Sequence, residues 1–418
     1  MFTILFYNKL NIYLLIGFFA SFSLIYSQKI SSVQLYNPQS KDFSSSIFEL
    51  GSPIVVEFDD LSENSNTFFY TITHHDANWE KSILNPAEYI RGLQRIYLND
   101  FSNSFNTVVK YRHYNFSIPN ENMQLLLTGN YMLNIYSDSD YEKPLIQRKF
   151  CLYQNRSPLQ LSFFRNINSG NNNQRIQIEF NNNQLFTNNF NNLKLVTIQN
   201  NNFDSTKQYQ NFFLVGNKIL YNGFEESFEG ANEYYFFDTK IINIAGFSTA
   251  KIAQENSLTH VYLFPNQIIN SSQYVFKMDI NGGFVFKIMD LITEYNEKIS
   301  ADYVKVHFSL AVNEETDKKI YVVGGFNNWQ FSEENNMQYN YETKTYELTL
   351  LLKQGFYNYT FATETNNKLN FSELNGSYWQ TENNYKSLLY FRSFGGRYDE
   401  LIGFGEIGQE KLRNNSLN

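Results

Sequence analysis

Short apolar segments alternate with polar turns along nearly the whole chain. SSIFELGSPIVVEFDDL places two such segments around Gly51–Pro53, and TFFYTITHHDANW supplies another. In TGNYMLNIYSDSD, Tyr131, Leu133 and Ile135 recur with a period of two, which puts them on one face of a strand. Further on, YVKVHFSLAV opens a unit near Asp302. There Tyr346, Leu348 and Leu350 share a strand face, Gln354-Gly355 turns the chain, and Tyr357, Tyr359 and Phe361 line the same face of the next strand. Asn281-Gly282 between aromatic segments is a hairpin signal, because both positions of the favoured turn need positive φ. Helical periodicity is scarce, and Ile83 to Gln94 holds the best short helix. The pattern predicts an all-β chain of tandem immunoglobulin-like β-sandwich domains.

Composition shifts set the expected boundaries: an N-terminal sandwich over 28–155, a middle one over 156–300, a C-terminal one over 301–405, and a flexible tail over 406–418. The linker QNRSPLQL separates the first two, with Pro158 starting the next strand. Asparagine-rich stretches follow, and there Ile176, Ile178, Phe180 and Leu185 alternate with polar residues, which predicts loops between real strands.

The aromatic content, 31 Tyr and 40 Phe in 418 residues, suits pleated, half-buried surfaces. One cation, Lys9, precedes an apolar run ending at Ser27-Gln28, the layout of a cleavable signal peptide over residues 1–27. The run is also long enough for a membrane anchor, but polar residues and a strand-like segment, Ile30 to Tyr36, follow at once. No second run of that length occurs, so no helical span is expected in the mature chain. An outer-membrane barrel would need longer, evenly spaced strands and a terminal aromatic strand, and this chain ends in Ser-Leu-Asn. Cys151, the single cysteine, cannot form an intramolecular disulfide and reads as a small buried hydrophobe. Loss of Lys9 with the presequence takes the net charge from −8 to −9, which argues against nucleic acid and anionic membrane surfaces as partners. These features together fit the periplasm of a two-membrane bacterium.

Reactive chemistry has little foothold. His74 and His75 are adjacent, and on a strand they point to opposite faces, so with Asp76 they make a poor metal site. His113, His260 and His307 look isolated. Asp59-Asp60 and Glu225-Glu226 read as solvated loop acids in an acidic protein. No Gly-x-Ser-x-Gly elbow and no phosphate-cradling glycine loop is present. The expectation is a protein that is not an enzyme and holds no cofactor or metal. In the C-terminal unit, GGFNNWQ followed by a hydrophobic strand, a glycine turn and an aromatic strand resembles the early-set immunoglobulin-like modules of starch- and glycogen-active proteins. That resemblance implies Trp329 and Trp379 as sugar-stacking candidates and a carbohydrate-binding envelope protein as the alternative function. Trp329 serves equally well as a residue capping the end of the sandwich.

Nine signatures in order, from YTITHHDANWEKS through SNSFNTVVKYRHYNFSIPNENM, TGNYMLNIY, GANEYYFFD, DINGGFV, GGFNNW, LKQGFYNYTF and SYWQTENNYKSLLYFR to RYDELIGF, resemble the type IX secretion system plug protein family. The family tends to carry Cys at the position of His75 and Ser at that of Thr128. The resemblance implies a non-enzymatic periplasmic partner that binds and closes the periplasmic opening of the system's large outer-membrane β-barrel translocon. Within it, Phe391, Arg392, Arg397, Tyr398 and Asp399 are the partner-interface candidates, since Arg and Tyr are enriched at interface hot spots.

Overall fold

The computed structural model describes residues 30–408 apart from 41–43, 64–65, 139, 169–171, 182–189, 210, 290–295 and 313. The expected signal peptide, Leu185 and residues 409–418 of the expected tail lie outside the described residues. The architecture is all-β and is built from face-to-face sheets.

In the N-terminal sandwich, Ile30–Tyr36, Ile54–Asp60, Arg112–Ile118 and Phe101–Asn103 form one sheet. The facing sheet runs Ile47–Glu49, Ile146–Tyr153, Gly129–Ser137, Phe68–His75 and Ile96–Leu98. Tyr131, Leu133 and Ile135 are fully buried between the sheets beside Val56, Phe58 and Tyr70. The helix expected within Ile83–Gln94 is a single turn, Pro86–Tyr89, started by Asn85, whose backbone N–H is capped by the Glu88 carboxylate.

Strand pairing crosses the boundaries expected at 300 and 405. In the middle sandwich, Gln160–Asn166, Asn173–Asn181, Lys218–Tyr221 and Phe213–Val215 form one sheet. Its partner sheet is Asn202–Tyr209, Leu193–Gln199, Asn384–Phe391 and Glu400–Gly408. Asn384–Phe391 therefore pairs with a strand some 190 positions earlier, for example Thr197 opposite Ser387, and Glu400–Gly408 adds to its other edge. Residues 406–408, expected as tail, complete the final strand.

Between these halves the chain makes the third sandwich, which is thus inserted into the middle one. Tyr235–Asp238, Gly355–Thr365 and Phe284–Phe286 form one layer, extended by Ile320–Val323 and Lys368–Asn370. The opposite layer holds Thr249–Glu255, Leu258–Leu263, Tyr303–Ala311, Thr345–Lys353 and Gln338–Asn340. Tyr357, Tyr359 and Phe361 pack in one core with Tyr346, Leu348 and Leu350, as their alternation predicts. Alternation marks which face of a strand is buried, but the choice of partner strand rests on contacts distant in sequence, so the insertion left no local trace.

The two passages between middle and third sandwiches are fastened by buried amides. Asn200 Nδ2 donates to Asn383 Oδ1 at 2.6 Å, and Asn383 Nδ2 donates to Gln174 Oε1 at 2.9 Å and to the Gly230 carbonyl at 2.8 Å. Several of the surplus asparagines are thus structural. Ile47, Ala77, Cys151, Ile198, Leu388, Tyr390 and Leu401 fill an apolar seam between the N-terminal and middle sandwiches. Burial of each large aliphatic there contributes about 1.5–3 kcal/mol. Cys151 Sγ donates to Asn130 Oδ1 at 3.2 Å, and burial drives its thiol pKa far up, consistent with an inert packing role.

Candidate functional site

The hairpin between Asn384–Phe391 and Glu400–Gly408 carries Arg392, Arg397, Tyr398 and Asp399 to the seam with the N-terminal sandwich and Phe391 to the middle core. Asp399 is buried and accepts from the Ala77 N–H (3.1 Å), Lys194 Nζ (2.9 Å) and Arg392 Nε (2.7 Å). Burial by itself would raise its pKa, but these three donors outweigh burial and hold it below the usual carboxylate value. Arg392 also pairs with Asp76 at 2.9 Å. Tyr398 sets its ring edge-on to His74, centroids 5.3 Å apart. Arg397 pairs with Glu88 at 2.5 Å, and Phe391 lies half-buried against the middle core. The charged groups of Arg392, Arg397 and Asp399 are thus paired within the protein. The outward feature of this hairpin is Phe394 at its tip, fully exposed, which alternation could not single out in a turn.

A second hub joins the N-terminal and third sandwiches. Asp59 Oδ1 faces His113 Nδ1 at 2.7 Å, and Asp59 Oδ2 accepts from Lys353 Nζ and the Tyr303 hydroxyl, each at 2.7 Å. Asp60 pairs with Arg112 at 3.2 Å. Both acids are completely buried strand residues, which corrects the reading of Asp59-Asp60 as solvated loop acids. Their cationic partners come from elsewhere in the sequence and were invisible to a local scan.

The histidines also find partners. His74 Nδ1 meets Ser82 Oγ at 3.0 Å, whereas His75, on the other face, meets the Trp79 carbonyl at 2.8 Å. His260 and His307, expected to be isolated, lie on adjacent strands with ring nitrogens 2.9 Å apart. Among the described residues, no group of three or more His, Cys, Asp or Glu is arranged to hold a metal ion.

Trp329 is 5% exposed, wedged between Tyr234 and Phe371. A Cβ on Gly282 would lie 2.2 Å from its ring, so the Asn281-Gly282 turn and the GGFNNW turn fit only with glycine there. Asn281 and Gly282 take φ of 52° and 78°, as the hairpin signal predicts, although the segment before them forms no strand. Asn327 closes its own turn, accepting from the Gly324 N–H and donating to the Val322 carbonyl. The Trp329 ring is therefore largely taken up by packing within the sandwich. Trp379 is half-buried, with the Arg165 guanidinium 5.1 Å from its ring centre.

Two runs stand out among the exposed large apolar residues. Phe213, Leu214 and Val215 are all exposed on the edge of the middle sheet. Val275, Met278 and Ile280 are exposed in the third sandwich.

Residues 30–154 match the family described as type 9 secretion system plug protein 1st domain. The match coincides with the two sheets of the N-terminal sandwich and connects that domain to type IX secretion and the cell envelope, through a family of secretion-system plug domains. No curated protein matches the sequence. The crystal structure of a hypothetical protein from Parabacteroides merdae ATCC 43184 is similar over 91% of this chain and 98% of that one, with 28% identity and a TM-score of 0.84. The likeness thus extends across all three sandwiches. Among the described residues, no helix is long and apolar enough to cross a membrane.

Proposed function

We propose that the protein is a non-enzymatic periplasmic plug, which binds the type IX outer-membrane translocon and closes its periplasmic opening. The observation that carries this reading is the match of residues 30–154 to the plug first domain. Physical features support it. A plug needs a preformed shape and a broad surface rather than a reactive centre. Here an inserted sandwich, a packed apolar seam and the Asp59–Lys353 hub tie three domains together. The exposed apolar runs at Phe213–Val215 and between Val275 and Ile280 supply surface for a large partner. The resemblance of the third sandwich to early-set modules belongs to the same reading, as scaffold.

The test is affinity purification of the tagged protein from detergent-solubilised envelopes. Recovery of a very large β-barrel protein is expected, and deletion of the gene is expected to leave the outer membrane leaky to large solutes. Absence of any such barrel, together with unchanged permeability, overturns the proposal. Within it, Arg397 and Tyr398 are assigned to the partner-facing rim of the hairpin. Retention of the barrel by the Arg397→Ala, Tyr398→Ala variant removes that assignment.

A further inference from the structure

A small cleft of about 60 Å³ opens where all three sandwiches meet. Its walls come from the N-terminal sandwich (Arg148), the middle one (Asn201, Phe203) and the third (Asn281, Gly325, Trp329). Arg148 is the one charged residue lining it. On its strand it shares a face with Ile146 and Phe150, both core residues, so alternation aims an arginine toward the sandwich interior. The neighbouring strand Ile47–Glu49 pairs only with Cys151–Tyr153 and stops short of it, which leaves the guanidinium in the cleft.

Arg148 donates to the Gln147 carbonyl at 3.0 Å, and among the described residues no carboxylate pairs with it. Burial alone lowers its pKa, to about 10, with no acid nearby to offset the effect. Arg148 is half-buried at the cleft, and without a counter-charge its guanidinium is available to an anion there. Beside it, the side-chain oxygens of Asn201 and Asn281 are buried and lack hydrogen-bond donors. A single fixed cation next to two acceptors in need of N–H groups is complementary to a monoanion attached to a peptide backbone.

We propose that this cleft receives one carboxylate of an extended polypeptide partner, from either an acidic residue or the partner's C-terminus, held by Arg148. The planar fork of the guanidinium suits bidentate contact with a carboxylate, and the volume admits little more than that group. One positive charge favours a carboxylate over a phosphate dianion. The partner's backbone N–H groups would satisfy Asn201 Oδ1 and Asn281 Oδ1. This assignment stands independently of the plug reading.

The test is calorimetric titration of the mature protein with three blocked tripeptides, accompanied by tryptophan emission, to which Trp329 contributes from the cleft wall. One tripeptide carries a central aspartate, one a central asparagine, and one a free C-terminal carboxylate. Saturable binding of the aspartate peptide, of the C-terminal peptide or of both is expected, and which of them binds identifies the source. The asparagine peptide should not bind. Arg148→Gln should weaken binding at least about tenfold, since a charge-assisted bidentate contact is lost. Arg148→Lys keeps the charge without the fork and should fall between, and it decides the matter if the Gln variant fails to fold. Equal binding of the asparagine peptide, no saturation with either carboxylate, unchanged affinity in a folded Arg148 variant, or binding of inorganic phosphate alone would each overturn the proposal.

Discussion

Lys353 Nζ and Asp59 Oδ2, 294 positions apart in sequence, meet at 2.7 Å across the junction between the N-terminal and third sandwiches. Their side chains are 2% and 1% exposed. The ammonium also donates to the Lys298 carbonyl at 2.7 Å and lies 4.4 Å from the centre of the Tyr111 ring. Burial lowers the Lys353 pKa, and the Asp59 charge works against that shift. With hydrogen bonds completed by His113 and Tyr303, the pair is well satisfied, the condition under which a buried ion pair persists.

Removal of one member leaves the other charge buried. Lys353→Met is expected to destabilise by about 3–5 kcal/mol, and the double variant Asp59→Asn, Lys353→Met by clearly less than either single change. Urea unfolding of the four proteins checks the coupling. Strict additivity would show that the pair does not act as a unit.

Trp329→Ala is expected to cost about 3–5 kcal/mol, because it empties a packed site between Tyr234, Phe371 and Gly282. Wild-type protein is expected to show no glucan affinity in affinity electrophoresis. Saturable glucan binding that Trp329→Ala abolishes, with melting unchanged, would restore the sugar-binding alternative.

How far the sequence carried these inferences differs with the range of the interaction. Tyr131, Leu133 and Ile135, or Tyr357, Tyr359 and Phe361, were legible because burial on one strand face repeats every second residue. The turn at Asn281-Gly282 was legible because positive φ narrows the choice of residue. By contrast, Asp59, Lys353, His113 and Tyr303 come from separate stretches, and nothing near Asp59 in the sequence announces a partner at 353. The insertion of the third sandwich was hidden for the same reason. The candidates from Phe391 to Asp399 were picked out by residue type, and the structure gives their charges partners inside the protein.

That hairpin yields a graded prediction. Arg397 and Glu88 form an exposed pair, so Arg397→Ala is expected to leave stability close to that of the wild type. Asp399→Asn weakens contacts to Lys194, Arg392 and the Ala77 N–H at once and should cost about 2–4 kcal/mol near neutral pH. Because the folded-state pKa of Asp399 is depressed, its contribution is present above the ordinary carboxylate value of about 3.9 and is lost as pH falls through the lower folded value. The difference between wild type and Asp399→Asn should therefore shrink toward acid pH. Melting curves across a pH series measure it, and a constant difference would contradict the ion-pair account.

Glu233 predicts the opposite pH dependence. It is 4% exposed at the passage between the middle and third sandwiches, where it accepts from the Tyr274 hydroxyl and from the Glu382 N–H at 3.1 Å. Burial raises its pKa to about 7, reinforced by the charges of Asp279 and Glu382, and Lys277 is the cation that faces it. Asp279, which accepts from the backbone N–H groups of Tyr234 and Asn281, is likewise raised, to about 6. An acid whose folded pKa lies above its unfolded value keeps its proton in the folded state between the two. Stability from this group is therefore full below about pH 4.3 and falls as pH rises toward 7. Glu233→Gln retains an acceptor oxygen without the charge. It is expected to stabilise the protein by about 1–3 kcal/mol at about pH 8 and to change little near pH 4.5. Paired thermal melts at the two pH values decide the point: equal shifts at both would place the effect in packing rather than in the buried charge.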